Sequence, residues 1–443
     1  MDPFSLEIKK LEHPEEIRTY LTGRDDDAFP VQKTVEKIIR SIKNGGDSAL
    51  IRFIRKYDRY DARPENIRVR KDEIEAAQIE VEKNLPELTR ALQISRKNIG
   101  DYHRSQLENG VRSWTAEQGP GRKTGQKVTP LERAGLYIPG GRYAYPSTLL
   151  MAAIPAMTAG VGELAVCSPP GRNGRLNDVL LYLCAELGID EIYRMGGAQA
   201  IAAMAFGTSS IKRVEKIVGP GNIYVTLAKK MVFGTVGIDS LAGPSDVTII
   251  SDEGARPELI ALDMLSQSEH DPLSRSILLS SSRDIALRSA KNIGDILDSI
   301  KGDPMYRDNL EIMLSSVGRN CSIFYNEEMD ALIKAANIIA PEHLEIMVDD
   351  PRYVLDRIKN AGAIFVGDYT PVAVGDYMGG TNHVIPTGGN ARFASPLGVE
   401  DFLKRSSICQ YTREALEAEK EHIVRLAGFE GLHVHGDSVR KRF

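Results

Sequence analysis

Residues 163–206 read ELAVCSPPGRNGRLNDVLLYLCAELGIDEIYRMGGAQAIAAMAF, and four structural elements follow from this one stretch. Residues 163–168 and 191–195 are short apolar runs of strand length, whereas 176–187 and 198–206 repeat apolar residues at helical spacing. Alternation of this kind predicts a parallel sheet with right-handed crossovers. Working outward, a strand at 214–218 and a helix at 223–233 complete the first series. A second series runs through strand 246–251, a helix carrying Gln267 and His270, strand 275–280, helix 284–300, strand 322–325, helix 327–336 and strand 363–366. Two such series predict an α/β fold with two Rossmann-like parallel-sheet domains.

The flanks have a different character. Val31, Val35, Ile38, Ile39 and Ile42 recur at helical spacing. Gly45 and Gly46 interrupt the pattern, and Asp47 is placed to cap a second helix through Leu50, Phe53, Ile54 and Tyr57, giving a helical hairpin. Residues 72–107 are again helical, with Pro86 opening a new segment. Residues 117–127 are polar and glycine-rich, and they separate this scaffold from the sheets. Beyond Asp368 glycine, proline and polar residues dominate up to Pro396, and two helices at 399–410 and 413–427 precede a short tail. The expected organisation is an N-terminal arm at 1–30 and a mostly helical segment at 31–127 packing with the second Rossmann-like domain. The first Rossmann-like domain covers 128–240, the second 241–390, and a C-terminal helical extension with its tail 391–443. His13, His103 and His422 read as surface residues.

A chain of 443 residues is too long for one ordinary core. Its 42% hydrophobic and 26% charged content is that of a packed globular protein. The net charge of −5 is dispersed, which argues against nucleic acid or an anionic membrane as partner. Residues 1–10 lack the basic start and apolar block of a secretory signal. The uncharged run 143–162 is broken by Pro146 and Pro155, so it reads as a buried loop and helix rather than a membrane span. Cys167, Cys184, Cys321 and Cys409 form no CxxC pair, and the first three fall in or beside apolar elements as small hydrophobes. A cytoplasmic protein with reduced thiols is expected.

In open parallel sheets ligands bind beyond the carboxyl ends of strands. Three turns stand out: LYIPGGR (136–142), RMGGAQ (194–199) and VGPGN (218–222). In the last two, glycines follow a strand and precede a helix, where backbone N–H groups can face a phosphate. None is GxGxxG, so they are either dinucleotide contacts or tight turns that need glycine. Glu215 and Asp239 lie downstream of two of these turns but do not end an expected strand. In DMLSQSEHDP (263–272), Gln267 and His270 are three apart on one helix face. They are either two ligands of a divalent metal or two solvent-facing polar groups. In APEHLE (340–345) Pro341 suggests a helix start, where His343 would be held neutral by the helix dipole. Glu342 and His343 are then either an acid–base pair or helix-start residues. DYMGGTNH (376–383) offers Asp376 as a hard ligand, with His383 a supporting or merely satisfied residue. In EGLHVH (430–435), His433 and His435 share a face on a strand, and spacing does not choose between them.

Together these pieces resemble the histidinol dehydrogenase family. The likeness runs from about Val128 to His435 and rests on LYIPGGRYAYPSTLLM, GGAQAIAAMAFGT, KIVGPGNIYV, GTVGIDSLAGPSD, DMLSQSEHD, APEHLE, VGDYMGGTNHVIPT and the terminal EGL-x-x-H, in that order. The resemblance implies NAD-dependent four-electron oxidation of L-histidinol to L-histidine through a bound aldehyde, the last step of histidine biosynthesis. It implies one zinc ion per subunit held by Gln267, His270, Asp376 and His435, a set of two nitrogen and two oxygen donors that suits zinc and would also accept manganese or cobalt. EGL-x-x-H selects His435 over His433. Glu342 and His343 match the acid–base pair, and Tyr137, Gln199 and Asn222 match the NAD contacts. Ser245, Gln267, His270, His343, Asp376, Glu430 and His435 match substrate contacts. The resemblance further implies a homodimer in which the C-terminal extension docks on the partner subunit and supplies Glu430 and His435.

The alternative within this class is a related zinc-dependent dehydrogenase of another small polar alcohol, for which Glu430 and His435 would lose part of their purpose. A zinc hydrolase using Glu342 as base leaves the glycine turns without a role. A non-catalytic binding protein has no use for Glu342 and His343.

Overall fold

The computed structural model describes residues 6–21, 28–140, 145–171, 173–241 and 243–443. Fourteen strands form among them. The first eight are β1 (Ile8–Lys10), β2 (Trp114–Gly119), β3 (Arg122–Pro130), β4 (Arg133–Tyr137), β5 (Glu163–Ser168), β6 (Ile192–Arg194), β7 (Lys216–Val218) and β8 (Gly237–Ile238). Six follow: β9 (Asp246–Ser251), β10 (Arg275–Ser280), β11 (Cys321–Tyr325), β12 (His343–Met347), β13 (Ala363–Val366) and β14 (Leu403–Tyr411). A five-stranded sheet has the order β6-β5-β4-β7-β8, and a six-stranded sheet the order β1-β11-β10-β9-β12-β13. Every pairing in both is parallel, so the two expected Rossmann-like halves are present.

Their central strands are continuously apolar because both faces are covered. Leu136, Val166 and Ile192 pack to one side of the first sheet, and Tyr137, Ala165, Cys167 and Tyr193 to the other. In the second sheet Val247, Ile249 and Leu278 face one layer, and Ile250, Ile277 and Leu279 the opposite one. The alanine-rich helix Gly197–Phe206 is buried on nearly all sides, and its small side chains let the long helix Ala28–Phe53 and the helix Ile223–Val232 approach it closely. That long helix is broken at Gly46 (φ 51°, ψ −136°), where the glycine pair interrupts the pattern. Asp47 does not cap; its carboxylate accepts from the backbone and hydroxyl of Ser210.

Several expectations change. The helical segment packs on the first sheet, not the second: Ile38, Ile42 and Leu50 join one of its faces, and Ile74, Val81 and Leu92 the other. It touches the second unit through Ser95 Oγ and Asn98 Nδ2, which donate to the carbonyls of Tyr377 (2.6 Å) and Met378 (2.8 Å). The arm contributes β1 to the edge of the second sheet. Residues 117–127 belong to a hairpin of β2 and β3, and 403–411 form a strand rather than a helix. β14 runs antiparallel along β3 from Leu403 opposite Pro130 to Tyr411 opposite Arg122, so distant pairing overrides a weak local helical pattern. The helix Arg307–Asn320 and the central strand β4 were not anticipated. Cys167, Cys184 and Cys321 are largely or fully buried, and Cys409 is exposed. No helix among the described residues is long and apolar enough to cross a membrane.

Candidate active site between two sheets of opposite polarity

In the first sheet the chain moves from β4 to β5 and β6, then returns to β7 on the other side of β4. The crevice beyond the carboxyl ends of β4 and β7 is therefore the switch point where an open sheet receives a ligand. A cavity of about 410 Å³ opens there, lined on this side by Tyr137, Pro139, Gly219 and Asn222. Its opposite wall comprises Ser245, His270, Glu342, His343 and Asp376. These residues sit at the amino ends of β9 and β12 and near the ends of the helices Pro257–Ser268 and Val372–Tyr377. One sheet thus presents its carboxyl edge to the cavity and the other its amino edge.

Glu342 and His343 open β12 rather than a helix. Ala340, held at φ 52°, closes the preceding helix and leaves only Pro341 and Glu342 before the strand begins. The helix dipole is therefore absent, and burial takes its place. Desolvation draws the His343 pKa below its usual 6.5, with neighbouring Asp376 opposing the shift. His343 Nδ1 lies 3.0 Å from the carbonyl of Asp246. A carbonyl only accepts, so Nδ1 carries the proton and Nε2 is the basic nitrogen. Burial and the nearby Asp246 push the Glu342 carboxyl well above the usual range. Glu342 Oε2 accepts from the Asp246 backbone N–H at 3.0 Å, while Asp246 Oδ1 accepts from the Glu342 N–H at 2.9 Å. The Ser245 hydroxyl also bonds the Glu342 carboxyl. Behind His343, Phe365 lies with its ring centroid 6.0 Å away.

Among the described residues no group of three His, Cys, Asp or Glu side chains is assembled to hold a metal. The expected set has only two such members on this wall, His270 and Asp376. Gln267, one helical turn before His270, is 1% exposed, and neither amide atom has a hydrogen-bond partner. Burying a carboxamide unpaired costs on the order of 1–3 kcal/mol, so this side chain is arranged for something other than the protein's own polar groups. That orphaned amide fits a metal ligand. His383 is half-buried and braces Asp376: its Nδ1 meets the Asp376 carbonyl at 3.2 Å and its Nε2 the Thr148 hydroxyl at 3.4 Å. Burial lowers its pKa.

The glycine turns are occupied by the protein's own acceptors. The Tyr137 hydroxyl accepts from Gly197 N at 3.1 Å, and Asp58 Oδ2 accepts from Gly196 N at 3.2 Å and from Gln199 Nε2 at 3.1 Å. Gln199 is buried behind the turn and does not reach the cavity wall. Gly219 N donates to Asp239 Oδ2 at 2.7 Å, and Asp239 pairs with the buried Lys229. Asp239 follows β8 directly, so it does end a strand, although its carboxylate is engaged by Gly219 and Lys229. At Gly219 (φ 119°) a Cβ would lie 2.0 Å from the Tyr137 carbonyl, so glycine is required for β4 and β7 to converge. Asn222 Oδ1 caps the helix Ile223–Val232, which leaves its amide nitrogen for the cavity. Gly141 and Arg142 of the first turn lie outside the described residues.

Glu430 and His435 are exposed and absent from the cavity of their own chain. The terminal segment is a helix, His433–Arg440, not a strand, so His433 and His435 point to different sides. His13 and His422 are exposed as expected. His103 is not: it is fully buried. Its Nδ1 donates to Gln106 Oε1 at 2.8 Å, and Asn382 Nδ2 lies 3.4 Å from its Nε2. Asn382 also donates to the Met151 carbonyl at 2.7 Å, tying the loop after Asp376 to both neighbouring helices. Sequence reasoning missed Asp246 and Asp58. Asp246 had a signal, a lone acid opening the apolar run DVTII; Asp58 had none.

Three comparisons bear on this cavity. The family profile described as histidinol dehydrogenase matches residues 22–443. The histidinol dehydrogenase of Thermosynechococcus vestitus is 47% identical over 411 residues, covering 93% of this chain and 92% of that one. That of Methanothermobacter thermautotrophicus is 45% identical over 417 residues, covering 94% of each. The crystal structure of histidinol dehydrogenase from Elizabethkingia anophelis superposes with a TM-score of 0.89 at 33% identity, covering 100% of this chain and 98% of that one.

Proposed function

The chain belongs to the histidinol dehydrogenase family, and from that premise we propose that the cavity between the two sheets binds L-histidinol and NAD beside one zinc ion. The enzyme is an oxidoreductase of histidine biosynthesis acting on an alcohol and then an aldehyde, and the reading as a dehydrogenase of some other polar alcohol is set aside. Zinc would be held by Gln267, His270 and Asp376, with His435 of the partner subunit as fourth ligand in a homodimer. When bound, zinc supplies charge and orientation for the substrate and NAD supplies the hydride acceptor.

The side chains divide the remaining work. His343 Nε2 takes the hydroxyl proton as the carbinol carbon is oxidised to the aldehyde. Glu342 takes a proton from the water that adds to that aldehyde, and the hydrate is oxidised in the second half-reaction. Ser245, Asp376 and the partner subunit's Glu430 contact the substrate; Tyr137, Gln199 and Asn222 serve the NAD side. Gln199 does so indirectly, by holding the Gly196–Gly197 turn through Asp58. The walls keep the aldehyde from solvent between the two steps. We place the enzyme in the cytoplasm, where its substrates are made.

The observation that carries this reading is the His343 tautomer: a buried imidazole whose Nδ1 is committed to the Asp246 carbonyl, beside Glu342 in a cavity that also holds His270 and Asp376. Purified protein supplied with zinc, NAD and L-histidinol should form two NADH for each L-histidine. One NADH with release of free aldehyde, or no turnover, would refute it.

A further inference from the structure

Behind the cavity wall, Asp263 and Glu345 are in side-chain hydrogen-bond contact. Each is attached to an element that carries a proposed site residue. Asp263 lies one helical turn before Gln267, on the same face of the helix Pro257–Ser268. Glu345 lies two residues after His343 on β12, where alternate side chains share a face. Glu345 Oε1 accepts from the backbone N–H of Val372 at 3.0 Å, and Val372 stands one turn before Asp376 on the helix Val372–Tyr377. Glu345 is 1% exposed, and its Oε2 has no donor among the protein's fixed N–H and O–H groups. Two ionised carboxylates in such contact would repel each other; one proton between them converts the contact into a hydrogen bond.

We propose that Glu345 and Asp263 share one proton, with Glu345 Oε2–H donating to the Asp263 carboxylate, and that this carboxyl pair is the positioning unit that fixes the Gln267, His343 and Asp376 elements relative to one another. The inference rests on the assignment of Gln267 and Asp376 as metal ligands. Burial pushes both carboxyls above their usual range, which favours holding one proton between them. Glu345 Oε1 being held by Val372, only its Oε2 is left to carry that proton.

Glu345→Gln and Glu345→Leu separate this role from simple packing. A glutamine amide can accept from Val372 and donate to Asp263, so E345Q should keep kcat, KM and zinc affinity within about threefold of the unmodified enzyme, while E345L should lose about 10- to 100-fold in kcat and zinc affinity. Zinc affinity is read on the metal-free protein by competition with a chromophoric chelator, without turnover. Asp263→Asn and Asp263→Ala give the same contrast should E345L not fold. The infrared band of a protonated carboxylic acid at neutral pH should weaken in E345Q relative to the unmodified protein. Equal behaviour of the amide and apolar variants, or an unchanged carboxylic-acid band in E345Q, would overturn the proposal. If the unmodified protein binds no zinc, the metal assignment fails instead, and the infrared comparison still decides the pair.

Discussion

His343 gives its Nδ1 proton to the main-chain carbonyl of Asp246 across 3.0 Å, so the ring reaches the cavity as a base whose tautomer is set by the backbone. The Glu342 carboxylate lies 3.8 Å from the same nitrogen, beyond hydrogen-bond reach, and burial draws the imidazole pKa down against the pull of Asp376. His343→Asn should lower kcat by about 10²- to 10⁴-fold with little change in thermal stability. Because its pKa lies below 6.5, the neutral base persists under mildly acidic conditions. The acid limb of the kcat profile should fall below pH 6.5; a limb centred above it would contradict the assignment.

Glu342 titrates in the other direction. Its carboxyl is held well above 4.5 by burial and by Asp246, so the ionised form gains as pH rises and hydration of the aldehyde should quicken on the alkaline side. A raised folded-state pKa favours folding at low pH, and that contribution disappears as pH climbs through the folded value. Metal-free Glu342→Gln protein should therefore be more stable than the unmodified protein at alkaline pH. In a single turnover with histidinol it should form one NADH per site rather than two, which stopped-flow absorbance would count.

Gln267 makes opposite predictions for the two states of the site. Gln267→Met removes two unpaired buried polar atoms at nearly constant volume. The metal-free protein should gain on the order of 1–3 kcal/mol in denaturant unfolding, while zinc affinity drops. A loss of stability without metal would show that the amide has a partner inside the protein.

Phe365 stands between His343 and Gly375. A Cβ at Gly375 would come within 2.5 Å of the Phe365 ring, which lies 6.0 Å from the imidazole, centre to centre. Gly375→Ala should therefore reduce kcat by about tenfold or more through a displacement of the order of 1 Å, with KM for NAD unchanged. Equal loss in both parameters would point to general unfolding.

His435 and Glu430 are exposed on their own chain. Neither His435→Asn nor Gln267→Ala homodimers should turn over histidinol, whereas heterodimers of the two should recover about a quarter to a half of the activity, since one of the two sites is then intact. Verified heterodimers without activity would mean that each chain completes its own site.

Strands covered on both faces were legible because burial forces uniform apolarity: residues 163–168, 246–251 and 275–280 coincide with observed strands, and the apolar edge strand 363–366 was found with them although Ile364 and Val366 are exposed. β14 was not, because LKRSSICQY has no buried face of its own and takes its conformation from β3. At Glu342 and His343 the side chains were identified but the element was not, since Pro341 is as suitable before a strand as at a helix start. Turns that follow strands account for the first wall only; on the second, Ser245, His270, Glu342 and His343 precede strands and Asp376 sits in a helix. His103 was misread from its polarity: it continues the buried stripe of Leu92, Ser95 and Ile99, and Gln106 and Asn382 satisfy its ring nitrogens inside.

The reversed polarity of the second sheet divides its loops into two populations. Residues 252–254, 281–282 and 349–350 follow the carboxyl ends of β9, β10 and β12, and none borders the cavity. β9 alone is six residues long, which puts them roughly 15–20 Å from the reacting groups. A reporter or affinity domain spliced after Glu253, which is exposed, would project from the remote rim and leave turnover intact, so this rim is the natural attachment point for immobilising the enzyme.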